Sequence, residues 1–317
     1  MYKMVSNIMK HNNIHKTPWS ADRPIKFRRQ KMSIENITIK NEFLTVRIST
    51  LGAELKSITD ITGKEWLHQG DMIFWNQSAP ILFPVCGNVT DNTIKVKGKK
   101  YNMKGHGFAM TSEFNLMECT EDLAVFSLVS NDETKKIYPY DFELIVTYKL
   151  LGKSIDVSFE VINDSEETMY FSIGAHEGYI CIEGLSNYQL VFENKEFKKP
   201  VYTQHEPAQA HINTENGYTQ YHLCDELFDD TMPMFIQPES NAVSLVNKET
   251  GEKVRVEFED FDNLLVWSKP GAQYVCIEPW CGMAEFGKVF DDISKKDDIH
   301  SLEPNEQFEI HHIITIN

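Results

Sequence analysis

Alternation with period two runs through this chain from Met32 to its last residues, and no stretch of twelve residues keeps a helical stripe. Ile155, Val157, Phe159 and Val161 alternate with Asp156, Ser158 and Glu160, and Val254, Val256 and Phe258 alternate with Arg255, Glu257 and Glu259. Successive side chains of a strand face opposite ways, so each run buries one face and wets the other. Further runs rich in β-branched and aromatic residues occupy 43–48, 123–130, 142–150, 188–192, 243–247, 263–268 and 308–316. Turn chemistry separates many of them, at Thr62-Gly63-Lys64, Gly98-Lys99-Lys100, Gly152-Lys153 and Thr250-Gly251-Glu252. A turn or two of helix near 291–298 is the most the pattern allows. Parallel strands would need crossover helices, so the chain is predicted to be all-β, a sandwich or a barrel.

With 317 residues, 41% of them hydrophobic, the chain can bury a core without disulfides or a metal staple. No apolar run approaches the roughly 20 residues that span a bilayer. The formal charge of −16 repels phosphate backbones and anionic lipid, so neither nucleic acid nor a membrane surface is an expected partner. That charge is unevenly spread. Residues 1–31 carry eight Lys and Arg against Asp22 alone, a net of +7, with no periodicity. They are predicted to be a disordered basic leader: a dispensable tail, a targeting segment, or a start assigned upstream of Met32. Residues 32–317 read as one domain, because no Pro-, Gly- or Ser-rich break divides them. Cys86, Cys119, Cys181, Cys224, Cys276 and Cys281 form no CxxC pair, and no secretory h-region precedes them. Reduced thiols and a cytoplasmic location are expected.

Three segments look unlike ordinary strand or turn. In Lys104-Gly105-His106-Gly107-Phe108-Ala109, glycines on both sides leave the histidine's backbone open to close approach. In Ser172-Ile173-Gly174-Ala175-His176-Glu177-Gly178-Tyr179, small residues again flank a histidine just after a strand. In 274–282, Glu278 follows an apolar strand and precedes Pro279-Trp280, so the strand is expected to end beside it. Each has an ordinary reading as a turn, a satisfied core histidine or a solvated glutamate. His106, His176 and Glu278 lack HExxH-type spacing, so no metal is expected. His311 and His312 are successive strand residues facing opposite sides, and cannot easily share a ligand. There is no GxSxG elbow, no P-loop and no GxGxxG opening a helix. Histidine and glutamate together suit general acid–base work, one taking a proton while the other gives one.

An ordered series of segments spans 51–282. It runs Leu51-Gly52-Ala53-Glu54-Leu55, Gly63-Lys64-Glu65-Trp66, Trp75, Ala79-Pro80-Ile81-Leu82-Phe83-Pro84 and His106-Gly107-Phe108-Ala109. It continues with Tyr138-Pro139-Tyr140-Asp141-Phe142, Gly174-Ala175-His176, Trp267-Ser268 and Ile277-Glu278-Pro279-Trp280. In this series the chain resembles the aldose 1-epimerase (galactose mutarotase-like) family, in its LacX-type branch. The resemblance implies a large antiparallel β-supersandwich. It also implies a reaction without cofactor, the interconversion of α and β anomers of a free hexose such as galactose or glucose. By the same resemblance, Glu278 is the general base at the C1 hydroxyl and His176 the general acid at the ring oxygen, while His106 stabilises the developing charge.

Three positions depart from the family pattern. Asn88 and Met110 stand where relatives often have arginines, and Glu177 stands where proline usually follows the second histidine. Outside the leader the only arginines are Arg47 and Arg255, in neither case within these motifs. A phosphate would therefore lack its bidentate partners, which argues against a hexose-6-phosphate 1-epimerase. Glu177 is expected either to point inward and raise the proton affinity of His176 or to face solvent. Asn88 is a candidate substrate contact. Asp230 is another, with Thr231 as its alternative in alignment. Trp75, Trp267 and Trp280 could stack on a sugar face, although a buried core position is the simpler expectation for at least two of them. The altered contacts leave a second class of function open, a non-catalytic carbohydrate-binding or sensor protein.

Overall fold

The computed structural model describes residues 34–208, 210 and 212–317, so the leader predicted at 1–31 lies outside the described residues. The fold is all-β and antiparallel, as the alternation requires. A nine-stranded sheet runs in the order Tyr218–His222, Tyr188–Glu196, Ala242–Asn247, Lys253–Glu257, Gln307–Ile316, Ser154–Asn163, Phe142–Leu151, Leu123–Val129, Asn115–Cys119. A six-stranded sheet runs Ile173–Gly174, Tyr274–Cys281, Asn263–Trp267, Pro233–Ile236, Val201–Tyr202, and Glu177–Ile180 also pairs with Tyr274–Cys281. Among the described residues there are three smaller sheets, one of them made of Asn36–Lys40, Leu44–Ser49 and Leu55–Asp60. Every period-two run named above falls on a strand. The helix allowed near 291–298 is a single 3₁₀ turn, Ile293–Lys295.

Burial follows the alternation. In Phe142–Leu151 and Ser154–Asn163 every second residue is buried, and His312 is buried while His311 is exposed on the surface. His311 pairs there with Asp156 and Asp260, and His312 turns into the core. All six cysteines are free thiols.

Several segments of the ordered series prove to be structural. Phe83, Phe108, Tyr138 and Phe142 come from three of them and meet in one aromatic cluster, with ring centroids 5.2–6.2 Å apart. Such edge-on and tilted contacts are the favoured geometry for aromatic rings. Buried Glu54 accepts hydrogen bonds from the backbone N–H groups of Ser78 and Ala79 at 2.7 and 3.2 Å, which anchors the segment leading to Phe83. Leu82 and Gly174 then exchange backbone hydrogen bonds, and the Phe108 and Ala109 N–H groups donate to the Phe83 carbonyl. The 82–84 backbone is thus clamped between the two histidine-bearing segments.

One expectation fails. The strand does not end at Glu278 but continues through Pro279 and Trp280 to Cys281. On one side Asn263–Trp267 pairs with it without a break from Cys276 to Trp280. On the other side its partner is split into Ile173–Gly174 and Glu177–Ile180, in one continuous register. The lapse falls at Ala175 and His176. Ala175 donates to the Pro279 carbonyl at 3.0 Å, but Pro279 has no N–H to return the bond. A central-strand proline is tolerated because the neighbouring strand, not its own, gives way.

Candidate active site

That gap is where the chemistry gathers. The register that sets Gly174 against Trp280 and Glu177 against Ile277 puts His176 directly opposite Glu278. Residues opposite one another on antiparallel strands share a face, so two side chains distant in sequence become neighbours. Nε2 of His176 stands 3.4 Å from Oε2 of Glu278. Glu278 is 0% exposed, and neither of its oxygens makes a well-formed hydrogen bond within the protein. Burial first, and the Glu177 charge second, hold the Glu278 carboxyl well above the ordinary carboxylate range, with Trp280 acting the other way. Burial first, and His106 second, hold the His176 imidazole well below its ordinary value. The site therefore holds a carboxyl and an imidazole whose charged forms are both penalised until a polar ligand supplies partners.

His106 arrives from the other clamped segment. It adopts φ +63°, and its N–H donates to the Gly87 carbonyl at 2.9 Å. The Gly87 N–H donates to Nδ1 of His106 at 3.3 Å. That bond makes Nδ1 the acceptor and leaves the neutral ring's proton on Nε2. Burial pushes the His106 imidazole down to about 4, so it is neutral near pH 7 and acts as a donor rather than a cation. Its ring lies edge-on to His176 and Trp280, at centroid distances of 5.5 and 5.9 Å.

Asn88, His106, His176, Asp230 and Glu278 all line one cleft of about 790 Å³. That size falls within the range of small-molecule sites. Trp75 stacks on His176 at 5.0 Å and meets Trp267 edge-on at 5.5 Å. Gly178 makes room for it: a Cβ there would stand 2.9 Å from the Trp75 ring. Of the three tryptophans only Trp280 is buried, whereas Trp75 and Trp267 keep exposed surface on the cleft. The expectation that at least two would be buried core is thus corrected. Asp230 takes φ +55° and lines the cleft beside buried Thr231, so both alternatives reach it. Met110 also lines it.

Glu177 neither faces solvent nor turns towards His176. It is buried on the far face of its strand, bonded to His312 at 2.9 Å, and the His176 imidazole is shifted down, not up. His176, Cys276 and Glu278 bring donor atoms within 4.8 Å of one another, as do Asp262, Cys281 and His300. In each set the histidine already faces a carboxylate, at 3.4 and 3.2 Å respectively.

A family model described as Aldose 1-epimerase matches residues 35–315. The chain belongs to the aldose 1-epimerase family. Plasmid-encoded Protein LacX of Lactococcus lactis subsp. lactis is 34% identical over 274 residues, which cover 81% of this chain and 92% of that protein. A galactose mutarotase related enzyme from Lactobacillus acidophilus has a TM-score of 0.80 at 30% identity, over 89% of this chain and 97% of its own. A galactose mutarotase-like protein from Lactobacillus casei ATCC 334 has a TM-score of 0.79 at 25% identity, over 89% of this chain and 100% of its own. The supersandwich implied by the ordered series is therefore this family's fold.

Other cleft residues escaped the sequence reading. Phe74, Gln77, Thr203, Gln204 and Lys269 line the cleft from loops and strand ends, where no period marks a facing side. The weak signal for Lys269 was its place in Ser268-Lys269-Pro270-Gly271, a turn directly after Trp267.

Proposed function

We propose that this protein is a mutarotase, interconverting the α and β anomers of a free hexose such as galactose or glucose. The observation that carries this reading is the buried dyad, a carboxylate without a well-formed hydrogen bond facing a histidine across a strand pair, at the base of a tryptophan-lined cleft. A binding module gains nothing by burying an unsatisfied carboxylate, whereas a general base is sharpened by it. Glu278 takes the proton from the C1 hydroxyl, and the electron pair left on that oxygen forms the carbonyl as the C1–O5 bond breaks. His176, carrying the proton of the dyad, delivers it to O5. The Nε2–H of His106 stabilises charge as it develops on oxygen. Rotation about C1–C2 and reclosure, with both proton transfers reversed, gives the other anomer. Sugar hydroxyls bonded to Glu278 favour its ionised form and offset the burial that opposes it. Each proton-transfer group contributes roughly 10²–10⁴-fold.

A pH dependence follows from these directions. The reactive dyad carries one proton, so kcat/KM is lost where that proton leaves, on the alkaline side, at a midpoint that the raised Glu278 carboxyl sets well above 4.5. His106, shifted to about 4, adds no limb between pH 5 and 8. A profile measured from pH 4.5 to 10 checks this, and activity that only rises with pH to a plateau, with no alkaline fall, contradicts it.

The cleft supports a neutral sugar. Among the described residues its lining includes one cation, Lys269, against Asp229, Asp230 and Glu278, and no arginine. Glucose 6-phosphate is expected to compete at least tenfold more weakly than glucose, measured by inhibition of galactose mutarotation. Tighter binding of the phosphate would favour the hexose-6-phosphate reading, with Lys269 as its partner. Sugar binding in calorimetry without acceleration would favour the sensor reading.

A further inference from the structure

On the hidden face of the same sheet lies a second acid–base pair that the proposed chemistry does not use. Glu177 follows His176, and strand alternation turns its side chain away from the cleft. Its Oε1 meets Nε2 of buried His312 at 2.9 Å. His312 belongs to Gln307–Ile316 of the nine-stranded sheet, so the contact bridges the two large sheets. Phe159 and Phe261 pack on its ring, at 5.7 and 5.8 Å between centroids. A buried carboxylate–histidine pair seldom stabilises more than well-packed apolar side chains do, so stability alone gives no reason for it.

Its place relative to the dyad does give one. The strand ladder lapses at Ala175 and His176, and Glu177 is the first residue back in register, opposite Ile277. Anchoring Glu177 therefore fixes the backbone from which His176 projects. Resting on the acid–base reading above, we propose that Glu177 and His312 are positioning residues for the dyad. They hold His176 opposite Glu278 from the hidden face and set a second carboxylate behind the base. Other titratable groups around Glu177 are Tyr179 on its own strand, Tyr148 from Phe142–Leu151, and Cys276 and Glu278 from Tyr274–Cys281. Burial, with Glu177 contributing, keeps the tyrosines and the thiol protonated. Among the described residues no lysine or arginine pairs with Glu177. The Glu177 charge thus falls on Glu278 and opposes its ionisation.

The experiment compares wild type and Glu177→Gln by two measurements. One is the pH dependence of kcat/KM. The other is a carboxyl ¹³C NMR titration, with Glu278→Gln identifying the Glu278 resonance. Both midpoints are expected to move down by about one pH unit. At the wild-type midpoint the variant then keeps roughly five-fold less of its own maximal rate. Unmoved midpoints, with or without a uniform loss of rate, would reduce the pair to a purely structural role and overturn the proposal. Should Glu177→Gln not fold, Glu177→Met combined with His312→Leu removes both polar partners and carries the same expectation. The NMR titration needs no turnover. A moved titration without any mutarotation would spare this proposal and overturn the reading of the reaction instead.

Discussion

Glu278→Gln is expected to abolish mutarotation while leaving the protein at least as stable as wild type. The amide keeps the shape of the carboxyl but cannot accept the C1 proton, so kcat/KM falls by about 10²–10⁴-fold, to near the rate in buffer alone. The stability effect runs the other way. Burial raises the proton affinity of Glu278 in the folded state, so its favourable contribution is complete below the unfolded-chain value. That contribution is lost as pH rises towards the folded one. The neutral amide escapes this loss. Its melting temperature is expected to exceed wild type by a few degrees, or roughly 0.5–2 kcal/mol, with the margin widening from pH 5 to pH 8. Thermal melts at several pH values test this, and a variant destabilised at pH 8 would show that the carboxylate is needed for folding. His176→Asn is expected to lose activity on the same scale with sugar binding kept.

Gly107→Ala is expected to have the largest effect on the fold of any single methyl group near the site. Gly107 takes φ +75°, and a Cβ there would stand 2.1 Å from the Phe83 carbonyl oxygen and 2.4 Å from its carbon. Both are backbone atoms of the clamped 82–84 segment, which cannot swing aside as a side chain would. The left-handed conformation and the forced overlap together cost about 3 kcal/mol or more. Because that segment also carries the contacts that seat His106, any folded fraction should lose activity too. Chemical denaturation with a parallel activity assay measures both. A stable, fully active Gly107→Ala protein would mean that this contact does not hold His106 in place.

The strands were legible because their evidence is local. Period-two burial needs only neighbours in the chain, and even the opposed sides of His311 and His312 could be read from it. The pairing of strands is not local. Nothing near residue 176 says that it will lie opposite Glu278, and only the family resemblance brought those residues together before the fold did. Pro279 shows how a sound local rule can mislead. Proline does remove a ladder bond, but here the lost bond opens the neighbouring strand beside His176 instead of ending its own. Glu177 shows the converse. Alternation already implied that it would face away from its neighbour, yet the partner waiting there, His312, is 135 positions away. The tryptophans divide for the same reason, since a cleft wall is made by loops whose mutual placement leaves no period in the sequence.

The central claim, a proton-transfer dyad that opens and recloses a sugar ring, is tested most directly by polarimetry of freshly dissolved α-galactose and α-glucose. Wild type, Glu278→Gln and buffer are compared at neutral pH, each protein first shown to be folded. Wild type is expected to bring the rotation to equilibrium much faster than buffer, and Glu278→Gln is not. Acceleration by both proteins would contradict the role given to Glu278, and acceleration by neither would contradict the activity itself.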